Sequence, residues 1–128
     1  MNDKILIIED EASVRESIRD ILALENLSCT LVSNGEAGLA SARENQPRMV
    51  VTDVQLPDVS GFQICQSLKR DPASHHIPVV MMSGRFTEPQ DKVQGLESGA
   101  DEYFLKPFDP EYFLARIKSL LRAAPSAA

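Results

Sequence analysis

The chain has 128 residues, of which 43% are hydrophobic and 25% charged. That composition describes one ordinary globular domain with enough chain to bury a core. A net charge of −6 without any basic stripe argues against direct nucleic-acid binding by this domain.

Met1-Asn2-Asp3-Lys4 does not read as a signal peptide, and the apolar run Ile5 to Ile8 is far too short to span a bilayer. Cys29 and Cys65 are isolated in apolar surroundings, without metal-ligand spacing or a disulfide framework. A cytoplasmic protein with reduced thiols and no membrane contact is expected. The domain is expected to cover residues 1–122. The small residues 123–128 have the composition of a linker or disordered tail.

The run Ile5 to Ile8 is a strand ending in Glu9-Asp10-Glu11. A first helix follows, with Val14, Ile18, Ile21 and Leu22 on one face and Ser13 and Glu16 at capping-box spacing. Cys29 to Val32 is a shorter, more polar strand. Asn34-Gly35 turns into a second helix carrying Ala37, Leu39, Ala40 and Ala42, which fades at Asn45-Gln46-Pro47. Met49 to Asp53 is the third strand, an apolar run that ends in a carboxylate and passes into a loop with Pro57 and Gly61. The third helix runs from about Gly61 to Arg70, with Cys65 and Leu68 inward.

His75-His76 are adjacent and read as solvated loop residues, because chelating pairs on a helix want i, i+4 spacing. Val79 to Met82 is the fourth strand, closing on Ser83-Gly84-Arg85. Thr87-Glu88-Pro89-Gln90 has the form of an N-cap with an early proline. The fourth helix has apolar residues only at Val93 and Leu96 and stops at Gly99. Glu102 to Leu105 is the fifth strand, ending in Lys106-Pro107. Asp109-Pro110-Glu111 opens a fifth helix that buries Phe113, Ile117, Leu120 and Leu121.

Strict βα alternation predicts an α/β fold, a parallel sheet covered on both faces and joined by right-handed crossovers. The first, third and fourth strands are the most continuously apolar and belong in the middle, the other two at the edges. The order 2-1-3-4-5 satisfies this and puts the switch point between the first and third strands. Glu9, Asp10 and Asp53 all emerge there.

Two carboxylates about 4 Å apart repel by ~4 kcal/mol at an effective dielectric of about 20. Three need a counter-ion, and an all-oxygen set selects a hard cation such as Mg²⁺. The fourth strand delivers the Ser83 hydroxyl to the same edge. The fifth delivers Lys106, a point charge suited to phosphate. Together they describe a phosphoryl-transfer site with Asp53 as nucleophile. Singly, each residue has a plainer role. Asp53 and Glu9-Asp10 fit local caps, Ser83 an ordinary turn hydroxyl, Lys106 a solvated edge lysine and Tyr103 edge-strand packing.

The chain resembles the receiver domains of two-component response regulators over residues 3–122. The resemblance rests on Glu9-Asp10, Asp53 with Leu56-Pro57 and Gly61, Ser83, Gly99-Ala100-Asp101, Tyr103 and Lys106-Pro107-Phe108. It implies a flavodoxin-like (βα)5 three-layer sandwich. Receivers are themselves the standard example of the 2-1-3-4-5 order, so that order is not independent of the resemblance.

By the same resemblance Asp53 would take a phosphoryl group from a phosphohistidine on a sensor histidine kinase or phosphotransfer protein. Asp10, Asp53 and the Gln55 carbonyl would bind Mg²⁺, and Glu9 would act through water. Ser83 would bond the phosphoryl oxygen and Lys106 would pair with it. Tyr103 would be the rotamer switch and Lys106-Pro107 a cis peptide. Many relatives carry Asp where this chain has Glu9. The protein is then a phosphoacceptor and not a conventional enzyme.

Phosphorylation adds about −1.5 to −2 charges, which Ser83 meets only by moving. That would drag on the weakly apolar fourth helix and vacate space for Tyr103. Reversing a 1:99 population takes ~5.5 kcal/mol. The output surface is expected on the fourth helix, fifth strand and fifth helix. Lys92, Asp101, Glu102, Glu111 and Arg116 stud it with both signs and suggest a homodimer register. Gln55 and Arg85 follow Asp53 and Ser83 by two residues and should overhang the phosphoryl group.

Rival readings fare worse. A flavin carrier would meet the wrong charge at Glu9-Asp10-Glu11. An Asp-nucleophile phosphatase would need an acid where Gln55 stands. A receiver lookalike that never takes phosphate would not need Asp53, Asp10, Ser83 and Lys106 together.

Overall fold

The computed structural model describes residues 3–84 and 88–123. Five strands and five helices alternate: β1 (Ile5–Ile8), α1 (Ala12–Ala23), β2 (Cys29–Val32), α2 (Gly35–Asn45), β3 (Met49–Asp53), α3 (Gly61–Arg70), β4 (Val79–Ser83), α4 (Pro89–Glu97), β5 (Glu102–Leu105) and α5 (Pro110–Ala123). All strand pairs are parallel, in the order β2-β1-β3-β4-β5. The inner strands β1, β3 and β4 are buried throughout, and β2 is only half-buried along its length.

Side chains alternate between the two faces, as the period of a strand requires. Ile5, Ile7, Met49, Val51, Val80, Met82 and Phe104 meet Ile18 and Leu22 of α1 and Phe113, Ile117 and Leu121 of α5. Leu6, Ile8, Val50, Val79, Met81 and Tyr103 meet Ala42 of α2 and Phe62, Ile64, Cys65 and Leu68 of α3. Burying each such aliphatic side chain stabilises by about 1.5–3 kcal/mol, so the three inner strands anchor both layers.

The register aligns the strand ends. Ile8 pairs with Thr52, Asp53 with Met82, and Ser83 with Leu105. Glu9, Asp53, Ser83 and Lys106 therefore leave the sheet along one edge.

Several expectations need correction. Ser13 and Glu16 form no capping box. Helix α1 starts at Ala12, Glu11 is its N-cap without a side-chain cap bond, and both residues lie exposed inside the helix. Ala40 faces solvent, because Gly38 takes the close approach of α2 to Ile8. Leu120 is half-buried against the core.

The largest difference is α4. Val93 and Leu96 are 51% and 46% exposed, and the buried residue of this helix is Gly95. An apolar count cannot see that contact, because glycine brings backbone and not side chain to the sheet. Thr87 and Arg85 lie outside the described residues, as do residues 124–128 of the expected tail. Ala123 is still helical, one residue past the expected boundary. His75 and His76 are exposed, as expected.

Candidate functional site

Glu9 continues β1, donating its backbone N–H to the Val32 carbonyl at 3.1 Å, and its side chain is fully buried. The Glu9 Oε2 atom lies 2.8 Å from Lys106 Nζ, and Oε1 accepts the Glu11 N–H at 3.3 Å. Lys106 Nζ also lies 3.4 Å from Asp53 Oδ2. One ammonium, delivered by β5, thus stands between two carboxylates from the paired central strands β1 and β3. Carboxylate oxygens of Glu9, Asp10 and Asp53 come within 4.8 Å of one another.

Electrostatics follow from that crowding. Burial pushes the Glu9 carboxyl up to about 7, against the pull of the Lys106 hydrogen bond, and the nearby Asp53 charge adds to the rise. Burial likewise raises Asp53, partly offset by Lys106. Burial works to lower Lys106, but the Glu9 hydrogen bond and the Asp53 charge outweigh it and leave its pKa raised. The ammonium is held charged by its two acidic neighbours, while the acids are held back from ionising chiefly by burial.

The loops are fixed by contacts the sequence does not advertise. Arg15 donates to the Glu9 and Asp10 carbonyls at 2.9 and 3.1 Å, pinning the loop after β1. Asp58 accepts the N–H groups of Gly35 and Glu36, both at 2.8 Å, and that of Val59 at 2.9 Å. These bonds hold its carboxyl below the usual range, the Glu36 N–H most of all. The loop after β3 is so tied to the start of α2. A Cβ on Gly61 would fall 2.5 Å from the Asp53 carbonyl oxygen, so only glycine lets α3 start against the strand end. Asp101 accepts the Val79 N–H at 2.8 Å and pairs with Lys69 at 3.3 Å, joining β4 to α3. Asp58 and Asp101 reach partners 22 to 32 residues away, contacts that local spacing does not reveal.

Asp10, Asp53, Gln55, Ser83 and Lys106 line a cleft of about 390 Å³ at this edge. Ser83 is buried and hydrogen-bonds the Tyr103 side chain. Tyr103 is 3% exposed, so its ring already lies inside and needs no vacated space. The Lys106–Pro107 peptide is cis.

A family model for the response regulator receiver domain matches residues 5–118. The chain belongs to the response regulator receiver domains. The DNA-binding dual master transcriptional regulator RpaA of Synechocystis sp. is 40% identical to this receiver over 119 residues, 93% of this chain and 49% of that protein. The DNA-binding response regulator MtrA of Mycobacterium tuberculosis is 36% identical over 122 residues, 95% of this chain and 52% of its own. The receiver thus spans about half the length of these relatives. Among solved structures, the BeF3-activated DrrB receiver domain superposes with a TM-score of 0.83 at 31% identity, covering 95% of this chain and 99% of that one. The receiver domain of a signal transduction histidine kinase from Syntrophus aciditrophicus gives 0.89 at 28%, covering 98% and 95%.

This receiver has a donor set that fits a hard divalent cation. The candidate donors are carboxylate oxygens, those of Glu9 fully buried and held back from ionising and those of Asp10 open to solvent.

Proposed function

We propose that this receiver is switched by phosphorylation of Asp53, with Mg²⁺ as cofactor and a sensor histidine kinase or phosphotransfer protein as donor. The observation that carries the reading is the single ammonium of Lys106 between Glu9 and Asp53. Such a site neutralises only part of its own charge and has room for a cation and a phosphoryl group. An Asp53 carboxylate oxygen attacks phosphorus, the P–N bond of the phosphohistidine breaks, and its electron pair returns to the imidazole nitrogen. Lys106 faces the incoming oxygens, and Ser83, which lines the same cleft, would donate its hydroxyl after moving away from Tyr103. Asp10, Asp53 and the Gln55 carbonyl would hold Mg²⁺, and Glu9 would support it indirectly. Bound there, the ion supplies positive charge to the phosphoryl oxygens in the transition state.

The receiver accepts a group and assists its own transfer and hydrolysis, so it is not a conventional enzyme. Relatives named as DNA-binding regulators support a cytoplasmic protein in which an attached output domain meets DNA. The receiver itself is acidic, and among the described residues no helix is long and apolar enough to cross a membrane. The output face would be α4, β5 and α5. Incubation with acetyl phosphate and Mg²⁺ should add one phosphoryl group by mass. Asp53→Asn or chelation of the metal should abolish it. Turnover of a simple phosphate ester that survives Asp53→Ala would overturn the reading.

A further inference from the structure

Helix α4 meets the rest of the domain in an unusual way. Its apolar side chains Val93 and Leu96 point outward, and its buried position is Gly95. A Cβ built on Gly95 would lie 2.5 Å from Tyr103 Cδ2, 2.9 Å from Cε2 and 3.5 Å from Met81 Sδ. The first two distances are inside any tolerated carbon contact, and both belong to one ring. The Tyr103 ring therefore fills a groove that exists because residue 95 has no side chain.

We infer that Gly95 is a positioning residue for Tyr103: the missing side chain forms the notch that keeps the ring inside, and side-chain size at position 95 sets whether it stays there. Glycine inside a helix is otherwise unfavourable relative to alanine, so its presence in the middle of α4 calls for a packing reason. The notch supplies one. Burial of the ring also brings its hydroxyl to Ser83 at the end of β4, so the groove on α4 holds together the two groups whose rearrangement would carry a signal. A Cβ at 95 has two outlets. The ring swings outward, or α4, held by no buried apolar side chain of its own, lifts off the sheet. Either one uncovers Tyr103. The signalling consequence rests on the proposed role of Tyr103 as the switch; the notch itself does not.

The receiver contains two tyrosines and no tryptophan, so Tyr112→Phe leaves Tyr103 as the sole tyrosine emitter. Acrylamide should quench that emission weakly, and Gly95→Ala should raise the quenching constant several-fold. Alanine is the better helix former, so Gly95→Ala should raise Tm in a Tyr103→Ala chain and lower it, or prevent folding, where Tyr103 is present. An unchanged quenching constant overturns the inference whatever happens to Tm, and so does a Tm raised equally in both chains. Acetyl phosphate loading, run in parallel, separates the two readings. A protein that never takes phosphate sinks the Asp53 assignment and leaves the quenching result standing.

Discussion

Glu9 concentrates the electrostatic tension of the site. Its carboxyl ionises near 4.5 when free and near 7 when folded, because burial penalises the charged form. A carboxyl raised by folding favours the folded state at low pH and loses that advantage as pH climbs through the folded value. The window is from about 4.5 to about 7, and the Asp53 shift acts in the same direction. Lys106 contributes a constant amount there, because its raised pKa keeps it charged until well above neutrality. The urea midpoint of metal-free protein should therefore fall between pH 5 and pH 8, by up to ~3 kcal/mol in stability. Glu9→Gln should flatten the profile, and Mg²⁺ should restore stability at pH 8. Lys106→Met should steepen the fall, since it leaves two buried acids facing each other. A wild-type profile that runs parallel to that of Glu9→Gln would mean the carboxyl is not strained.

At the scale of elements, the strand ends and the inward faces of α1, α3 and α5 were readable, and the docking of α4 was not. An apolar run that stops at a charged residue marks where a buried strand leaves the core, so Glu9, Asp53, Ser83 and Lys106 could be assigned to one edge in advance. Helix faces depend on what sits opposite. Val93 and Leu96 are the apolar residues of α4, yet they point outward, because Gly95 lets the Tyr103 ring take the inner side of the helix. Glu102 and Arg116, read as dimer-surface charges, pair with each other at 2.8 Å, and Asp101 is used by Lys69 and Val79. Asp58, which the sequence does not single out, clamps the amides of Gly35 and Glu36 from 23 and 22 residues away. Asp58→Ala should speed amide exchange at those two positions, lower Tm and loosen the loop that carries Gln55. Unaltered exchange at Gly35 and Glu36 would show that the helix start holds without it.

Across the whole molecule, four of the five large exposed apolar side chains among the described residues lie on the proposed output elements, Val93 and Leu96 on α4, Leu105 on β5 and Tyr112 on α5, and the fifth, Leu24, ends α1. With Asp101, Glu102 and Arg116 paired inside the chain, apolar contact is left as the main attraction for a second receiver. Beryllofluoride with Mg²⁺ should raise the sedimentation coefficient toward a dimer, and Leu96→Glu should prevent this without affecting phosphate uptake at Asp53. Equal sedimentation of free and beryllofluoride-treated protein would count against activation-driven pairing. The order of elements, the inner and outer strands, and which side chains stand at the strand ends were settled by the sequence alone, because continuous burial and chain alternation are local properties that survive in one dimension. Only the tertiary structure decided how α4 docks, which charges are already taken, and that one lysine stands between two acids. Those depend on residues from 8 to 97 positions apart sharing a few ångströms of space, and a linear pattern carries no record of that distance.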